Sequence, residues 1–284
     1  MILITGSQGV VGSYCSVIFD KGEIFPTDRK SLDITDKKNV RDVFEKIKPD
    51  FVIHLAAMTD VDRCEKEQGL ARRYNIQGTE NIAIACKKYN TIPVFISTTE
   101  VFDGKKEFYT EEDIPNPVNF YGKTKIEGEK IIRSMLERFY IVRTCWLFGG
   151  GTKDKKFVGK IVSQIKKGEK TIKAVDDLRG SPTYTFDLVE AIRALIKTDR
   201  FGIYHITNDG ICSRYEMAKQ IVKILHSDVK VIPVLSSFFN LPADRGMSVA
   251  SKSIYLQKIG LKLRRWADAL SSYIEVVEKS PHNF

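Results

Sequence analysis

The chain of 284 residues is long enough for one large domain or two small ones, and a globular chain of that size buries roughly three quarters of its unfolded surface. Apolar residues at 43% and charged residues at 29% exclude collagen-like, disordered and disulfide-scaffold classes. The net charge of +9 favours anionic partners but does not choose among nucleotides, nucleic acid and lipid headgroups.

The opening MILIT reads as a short strand and VVGSYCSVIF as a helix. EIF, FVIHLA and PVFIST follow as strands, separated by the helical NVRDVFEKI and a long helical region reaching about Lys88. Strands too apolar to face water on either side, alternating with helices, indicate a parallel sheet covered on both faces. After a Pro- and Asn-rich loop come a helix from about Tyr121 to Leu136 and the strand FYIVRT. At Gly149-Gly150-Gly151 the composition shifts into a lysine-rich stretch reaching Lys173. It reads as a domain boundary or movable lid, or more simply as a solvated helix face. Beyond it lie a helix with Thr185 or Asp187 near its start, the strand GIYHI, a helix capped by Ser213, the strand KVIPV and two terminal helices.

No stretch approaches the ~18 apolar residues of a membrane span, and no basic leader precedes the first strand, so a cytoplasmic protein with no membrane partner is expected. Cys15, Cys64, Cys86, Cys145 and Cys212 lack a CxxC and read as buried or idle thiols. His54, His205, His226 and His282 show no metal-ligand spacing, and no metal is expected. With no helix-turn-helix, RRM or aromatic-basic motif, nucleic acid is not expected either.

The first strand runs through Gly6-Ser7-Gln8-Gly9-Val10-Val11-Gly12 into an apolar helix, the setting a dinucleotide loop requires. Glycines there permit a tight turn and let backbone amides approach a pyrophosphate. The GxxGxxG spacing resembles the extended short-chain dehydrogenase/reductase superfamily. Asp28, after the second strand, suits the adenosine ribose hydroxyls, whereas Arg29 and Lys30 beside it suit a 2′-phosphate, so NADH and NADPH both remain open.

Tyr121 and Lys125 share one face of a helix. A tyrosine with an ordinary pKa near ~10 is a poor acid-base group at neutral pH, and an ammonium ~4 Å away would lower it by roughly three units before desolvation. A second such pair, Tyr215 and Lys219, falls far from the glycine loop and reads as structural. Thr98, at the end of a strand that should terminate at the cofactor edge, completes a Thr-Tyr-Lys constellation, with a turn-capping threonine as the plainer role.

Eight segments, HLAAMTDVDRCE, YNIQGTENIA, ISTTEVFDG, NFYGKTKIEGE, VRTCWLFGG, RGSPTYTFDL, GIYHITNDG and ADRGMS, together resemble the dTDP-4-dehydrorhamnose reductase family nearly end to end. The resemblance implies a Rossmann-type doubly wound α/β fold with a smaller α/β C-terminal substrate domain. Residues 1–146 and 182–206 would form the dinucleotide-binding part, and 147–181 and 207–284 the substrate part. It implies reduction of the C4 ketone of a dTDP-linked 6-deoxyhexulose with NADPH or NADH.

Cofactor contacts carried over on this basis fall on Gly9, Val10, Val11, Asp28, Asp33, Ile34, Ala57, Met58 and Thr59, with Gly6, Gly12, Arg29 and Ala56 alongside. Catalysis falls on Thr98, Tyr121 and Lys125, the last two also touching the cofactor. The substrate falls on Thr98, Thr99, Glu100, Trp146 and Arg245. Arg245 suits a pyrophosphate or a surface ion pair. A homodimer stays open.

The chain departs from the family at Thr99 and Glu100, where aspartate and tyrosine are usual, and at Lys156, Leu178 and Gly246. Glu100 stands where related 4,6-dehydratases carry their C5 base. A dehydratase or epimerase is therefore the alternative reading, with a non-catalytic regulatory homologue as a third.

Overall fold

The computed structural model describes residues 1–151 and 154–279. Thr152, Lys153 and 280–284, hence Lys153 of the lysine-rich stretch and His282, lie outside the described residues. In chain order the first half runs β1 (Ile2–Thr5), α1 (Val10–Ile18), β2 (Ile24–Pro26), α2 (Lys37–Ile47), β3 (Phe51–His54), α3 (Val61–Lys66), α4 (Gln68–Arg72), a π-helical turn (Arg73–Gln77) and α5 (Gly78–Tyr89). It continues with β4 (Ile92–Thr98), a 3-10 turn (Thr99–Val101), α6 (Phe120–Met135) and β5 (Tyr140–Thr144). The second half comprises β6 (Leu147–Phe148), α7 (Phe157–Lys166), β7 (Thr171–Val175), β8 (Arg179–Gly180), β9 (Thr183–Tyr184), α8 (Thr185–Leu195) and β10 (Gly202–His205). It closes with β11 (Cys212–Ser213), α9 (Arg214–Ile224), β12 (Lys230–Val234), α10 (Tyr255–Lys258) and α11 (Trp266–Lys279).

The main sheet is six-stranded in the order β10-β5-β4-β3-β1-β2, parallel throughout. Successive side chains of a strand point to opposite faces, and the core divides accordingly. Ile2 and Ile4 join Tyr14 and Ile18 of α1 and Leu188, Val189 and Ile192 of α8, whereas Leu3 joins Phe44 of α2 and Ile82 and Cys86 of α5. Phe95 and Ile141 likewise turn toward Ile132 of α6, away from Val94 and Val142. A sheet coated on both faces explains the continuous apolar strands of the sequence.

Chain order reverses across β1, with β2 on one side and β3 on the other. The crevice beyond the carboxyl ends of β1 and β3 is where an open α/β sheet binds its ligand. The second half adds three small pairs: β12 with β7 and β6 with β9, both parallel, and β11 with β8, antiparallel. The first core continues from the sheet into α9 and α11 through Met217, Ile221, Leu270 and Ile274, so the C-terminal elements rest on the same apolar layer.

Ser213 caps α9 in a reciprocal box with Glu216. Thr185 and Asp187 do not cap α8: Tyr184 holds the N-cap position without a side-chain bond. Thr185 donates to the Phe148 carbonyl at 2.8 Å and Asp187 pairs with Arg264. All five cysteines are buried and free; burial pushes Cys15 up to about 12 and Cys64 and Cys145 up to about 11, which leaves little reactive thiolate. No described helix is long and apolar enough to cross a membrane.

Candidate active site

The loop after β1 is built for close approach. Gly6 has φ +66, and a Cβ there would sit 3.0 Å from the Ala56 backbone. A Cβ on Gly12 would lie 2.3 Å from the Ser7 carbonyl oxygen. Gly9 differs, because its Cβ would meet only the Gly6 oxygen at 3.4 Å, so the protein's own packing does not demand glycine there. What the missing side chain leaves is a bare helix start: Gly9 is the N-cap of α1 and makes no side-chain cap. The amides of Val10, Val11 and Gly12, unpaired in the first helical turn, therefore face outward for an anion. This cradle, which a Cβ would fill, fits the pyrophosphate of a dinucleotide.

Around it, Asp28 accepts from the amides of Lys30 and Ser31 through Oδ1 and from Gln8 Nε2 through Oδ2. Hydrogen bonds from Ser31 hold its carboxyl below the usual range. Arg29 lies over the Tyr74 ring at 5.1 Å. Thr5 Oγ1 accepts from the amides of Leu55 and Ala56, tying β1 to the 56–59 segment. Met58 in that segment is buried, whereas Thr59 is exposed. Asp33 caps its own turn through Thr35. The Ile34 side chain belongs to the core, and its carbonyl accepts from Asn81.

β4 ends at Thr98, whose Oγ1 accepts from the Glu100 amide at 3.1 Å and so caps the 3-10 turn. The same hydroxyl lowers the proton affinity of the Tyr121 phenol, so the capping threonine also bears on the candidate site. Asn119 caps α6 by accepting from Gly122 N at 2.8 Å. Its Nδ2 donates to Glu100 at 2.9 Å and to the Asp244 carbonyl at 3.0 Å. This cap sets Tyr121 at the start of the helix, against Thr98 and Glu100.

The electrostatics correct the simple pairing expected of Tyr121 and Lys125. Burial, then Glu100 and Cys64, push the Tyr121 phenol up, with Thr98 rather than Lys125 opposing. Burial brings the Lys125 amine down to about 7, with Glu129 opposing. Its Nζ lies over the Phe95 ring at 4.0 Å. Burial also raises the Glu100 carboxyl, while Asn119, Arg245 and Arg214 oppose. The phenol is thus held protonated, and the lysine stands near half-protonation at neutral pH.

Beneath the pair lies a polar layer that residue spacing did not reveal. Arg143 of β5 and Glu129 of α6 form a bidentate pair at 3.0 and 2.6 Å, with side chains 2% and 1% exposed. Ser97 donates to Glu129 at 2.5 Å. Breaking such a buried pair from one side costs ~3–5 kcal/mol. Asn75, in the π-helical turn, accepts from Met58 N at 2.8 Å and donates to the Met58 carbonyl and Thr124 Oγ1. It locks the segment after β3 to α6. His54 joins Thr5 and Thr79, and burial drives its imidazole down to about 3.

Of the remaining candidates, Thr99 is wholly buried, beside Cys145. Trp146 has φ 42, and a Cβ on Gly180 would fall 2.5 Å from its ring, so this glycine makes room for the indole. Arg245 is engaged by Asp62, at 3.1 and 2.8 Å. It lines a cleft of about 770 Å³ together with Arg179, Asp244 and Gly246. Tyr215 and Lys219 form a local contact at 5.3 Å on α9. The lysine-rich stretch forms α7 and β7. Its Lys160, Lys166, Lys167 and Lys173 line a separate cavity of about 970 Å³ with Ile161, Phe239 and Tyr273, and no predicted site residue borders it.

Comparison with known proteins agrees with this geometry. The family model described as RmlD substrate binding domain matches residues 1–279. A dTDP-4-dehydrorhamnose reductase of Streptomyces griseus is 35% identical over 95% of this chain and 91% of its own length. The spore coat polysaccharide biosynthesis protein SpsK of Bacillus subtilis is 33% identical over 96% of both chains. The crystal structure of dTDP-4-dehydrorhamnose reductase from Bacillus anthracis in complex with NADP superposes with a TM-score of 0.93 at 36% identity, covering 97% of this chain and 98% of that one. A UDP-glucose 4-epimerase of Thermus thermophilus, with a TM-score of 0.83 and 20% identity, shares the fold. With matches that span almost every residue, the chain belongs to the dTDP-4-dehydrorhamnose reductase family.

Proposed function

We propose that the protein reduces the C4 ketone of a nucleotide-linked 4-keto-6-deoxy sugar, dTDP-4-dehydrorhamnose first among them, using NADPH or NADH. One observation supports this reading: Thr98, at the carboxyl end of β4, acts on the Tyr121 phenol one helical turn from the buried Lys125, in the sheet that also presents the bare N-terminus of α1. Bound there, the nicotinamide would supply hydride to C4. Tyr121 gives its proton to the developing alkoxide, and its raised pKa keeps that proton in place until then. Thr98 polarises the ketone through its hydroxyl. Lys125 adds positive charge as the phenolate forms and orders the ribose. Gly9, Val10 and Val11 hold the pyrophosphate, and Trp146 faces the sugar.

In this reading residues 1–146 and 182–206 bind the dinucleotide, 147–181 and 207–284 the nucleotide sugar, and the enzyme works in the cytoplasm. Glu100, a carboxylate next to Thr98, supports a second reading as a dehydratase or epimerase base. Stoichiometric loss of NADPH absorbance with a 4-keto sugar tests the first reading, and product formation without net oxidation would replace it with the second. Tyr121→Phe should reduce the rate by about two to four orders of magnitude with NADPH binding retained; unchanged turnover would refute the role of Tyr121.

A further inference from the structure

Arg214, the first residue of α9, carries a guanidinium without a hydrogen bond or ion pair among the described residues. Its carbon lies 3.8 Å from the centroid of the Trp146 ring and 4.8 Å from that of Phe157. The acid nearest along the helix is turned elsewhere, since Glu216 accepts from Arg179 and from the Ser213 amide. Burial brings Arg214 down to about 10, with Cys145, Cys212 and Glu100 opposing and Arg245 adding to the lowering. Arg245, by contrast, is neutralised by Asp62.

The stack is fixed from several elements. Trp146 follows β5 in a left-handed conformation, its indole seated over Gly180 of β8. Phe157 opens α7. A guanidinium lying on aromatic faces keeps its edge N–H donors free, and these match phosphoryl oxygens in pairs. A part-buried cation held in this way, with a second arginine in electrostatic range, is suited to an incoming anion. A 4-keto-6-deoxy sugar has no charge of its own. The anion that reaches a site beside Glu100 and Trp146 is therefore the diphosphate on C1, across the ring from the ketone that Tyr121 serves.

We infer that Arg214 is a substrate-binding residue that takes a phosphoryl group of the nucleotide sugar between Trp146 and Phe157. This rests on the nucleotide-sugar reading above. The test is calorimetric binding of dTDP, inorganic pyrophosphate and thymidine to Arg214→Gln and Arg214→Lys, with NADPH binding as the control for folding. In Arg214→Gln, dTDP and pyrophosphate should weaken about tenfold or more, the weight of a hydrogen bond to a charged group. Thymidine and NADPH should be unchanged, and KM for the sugar should rise with kcat nearly constant. Arg214→Lys, which keeps the charge without the fork, should fall between and serves if the glutamine variant does not fold. Unchanged dTDP affinity, or equal weakening of dTDP and thymidine, would overturn the assignment. Arg214-dependent dTDP binding without ketone reduction would retain this site and reject the reductase reading instead.

Discussion

Replacing Lys125 with methionine should make the protein more stable at neutral pH while abolishing its chemistry. The amine is 2% exposed and is brought from 10.5 down to about 7 by burial. At ~1.4 kcal/mol per pKa unit, that shift withholds ~5 kcal/mol of stability below pH 7, and ~4 kcal/mol at pH 7 itself. Methionine retains much of the stem against Phe95 and removes the charge. The lost cation–π contact takes back ~1 kcal/mol, leaving a gain of ~3 kcal/mol at pH 7. The sign follows from proton counting. Between the folded value near 7 and the unfolded value of 10.5, the unfolded chain binds more protons, so the wild type gains stability as pH rises. The gap between variant and wild type should therefore be widest below pH 7 and close toward 10.5. Urea unfolding of both proteins without cofactor, from about pH 6 to about pH 10, measures it. A variant less stable than wild type at pH 7, or a gap that ignores pH, would refute the reasoning.

Two further outcomes follow from the same geometry. Because Glu100 helps to push Tyr121 up, Glu100→Gln should move the alkaline limb of the kcat profile toward acid by up to about one unit; an unmoved limb would separate the two groups. Gly12→Ala places a methyl 2.3 Å from the Ser7 carbonyl oxygen. It should cost ~1–3 kcal/mol of stability and weaken NADPH binding, read by fluorescence titration, and normal values for both would contradict the packing of the loop.

The sheet was legible because its signal is local: strands buried on both faces carry continuous apolar runs, and glycine spacing marks the loop. Of the small pairs only β12 was legible, as KVIPV. β8, β9 and β11 are two residues each, too short for any period to register. β7 lay hidden in the lysine-rich stretch because Ile172 and Ala174 alone are buried there. Within the site, Tyr121, Lys125 and Thr98 were readable from spacing and resemblance. Asn75, Glu129, Arg143 and Arg214 were not, because their partners lie far away in the chain: Asn75 meets Thr124, and Arg214 meets Trp146. Such contacts exist only once the sheet has brought β3, β4 and β5 side by side. Asn75, Glu129 and Arg143 each had one oblique signal, a place in the quoted YNIQGTENIA, NFYGKTKIEGE and VRTCWLFGG segments, whereas Arg214 had none. The weight of desolvation at Tyr121 and Lys125 was hidden for the same reason, since spacing puts two side chains on one helix face but does not report how completely the sheet then buries them.

That burial bears on the direction of the chemistry. A ketone reduction needs an acid that keeps its proton until the alkoxide develops and an environment that tolerates the anion left behind. In the proposed reduction Tyr121 would meet the first requirement through burial and the nearby Glu100. Lys125 would meet the second in that proposed reduction because burial lowers its proton affinity toward neutrality instead of leaving it permanently charged. At about 7 it is near half-protonated in neutral solution, and a phenolate forming at Tyr121 favours its charged form. Glu129 sustains this arrangement from below, since its carboxylate raises Lys125 while Arg143 and Ser97 hold it in place. The Glu129, Arg143 and Ser97 layer therefore offsets part of the loss of proton affinity that burial imposes on Lys125, on which the proposed role of the pair depends.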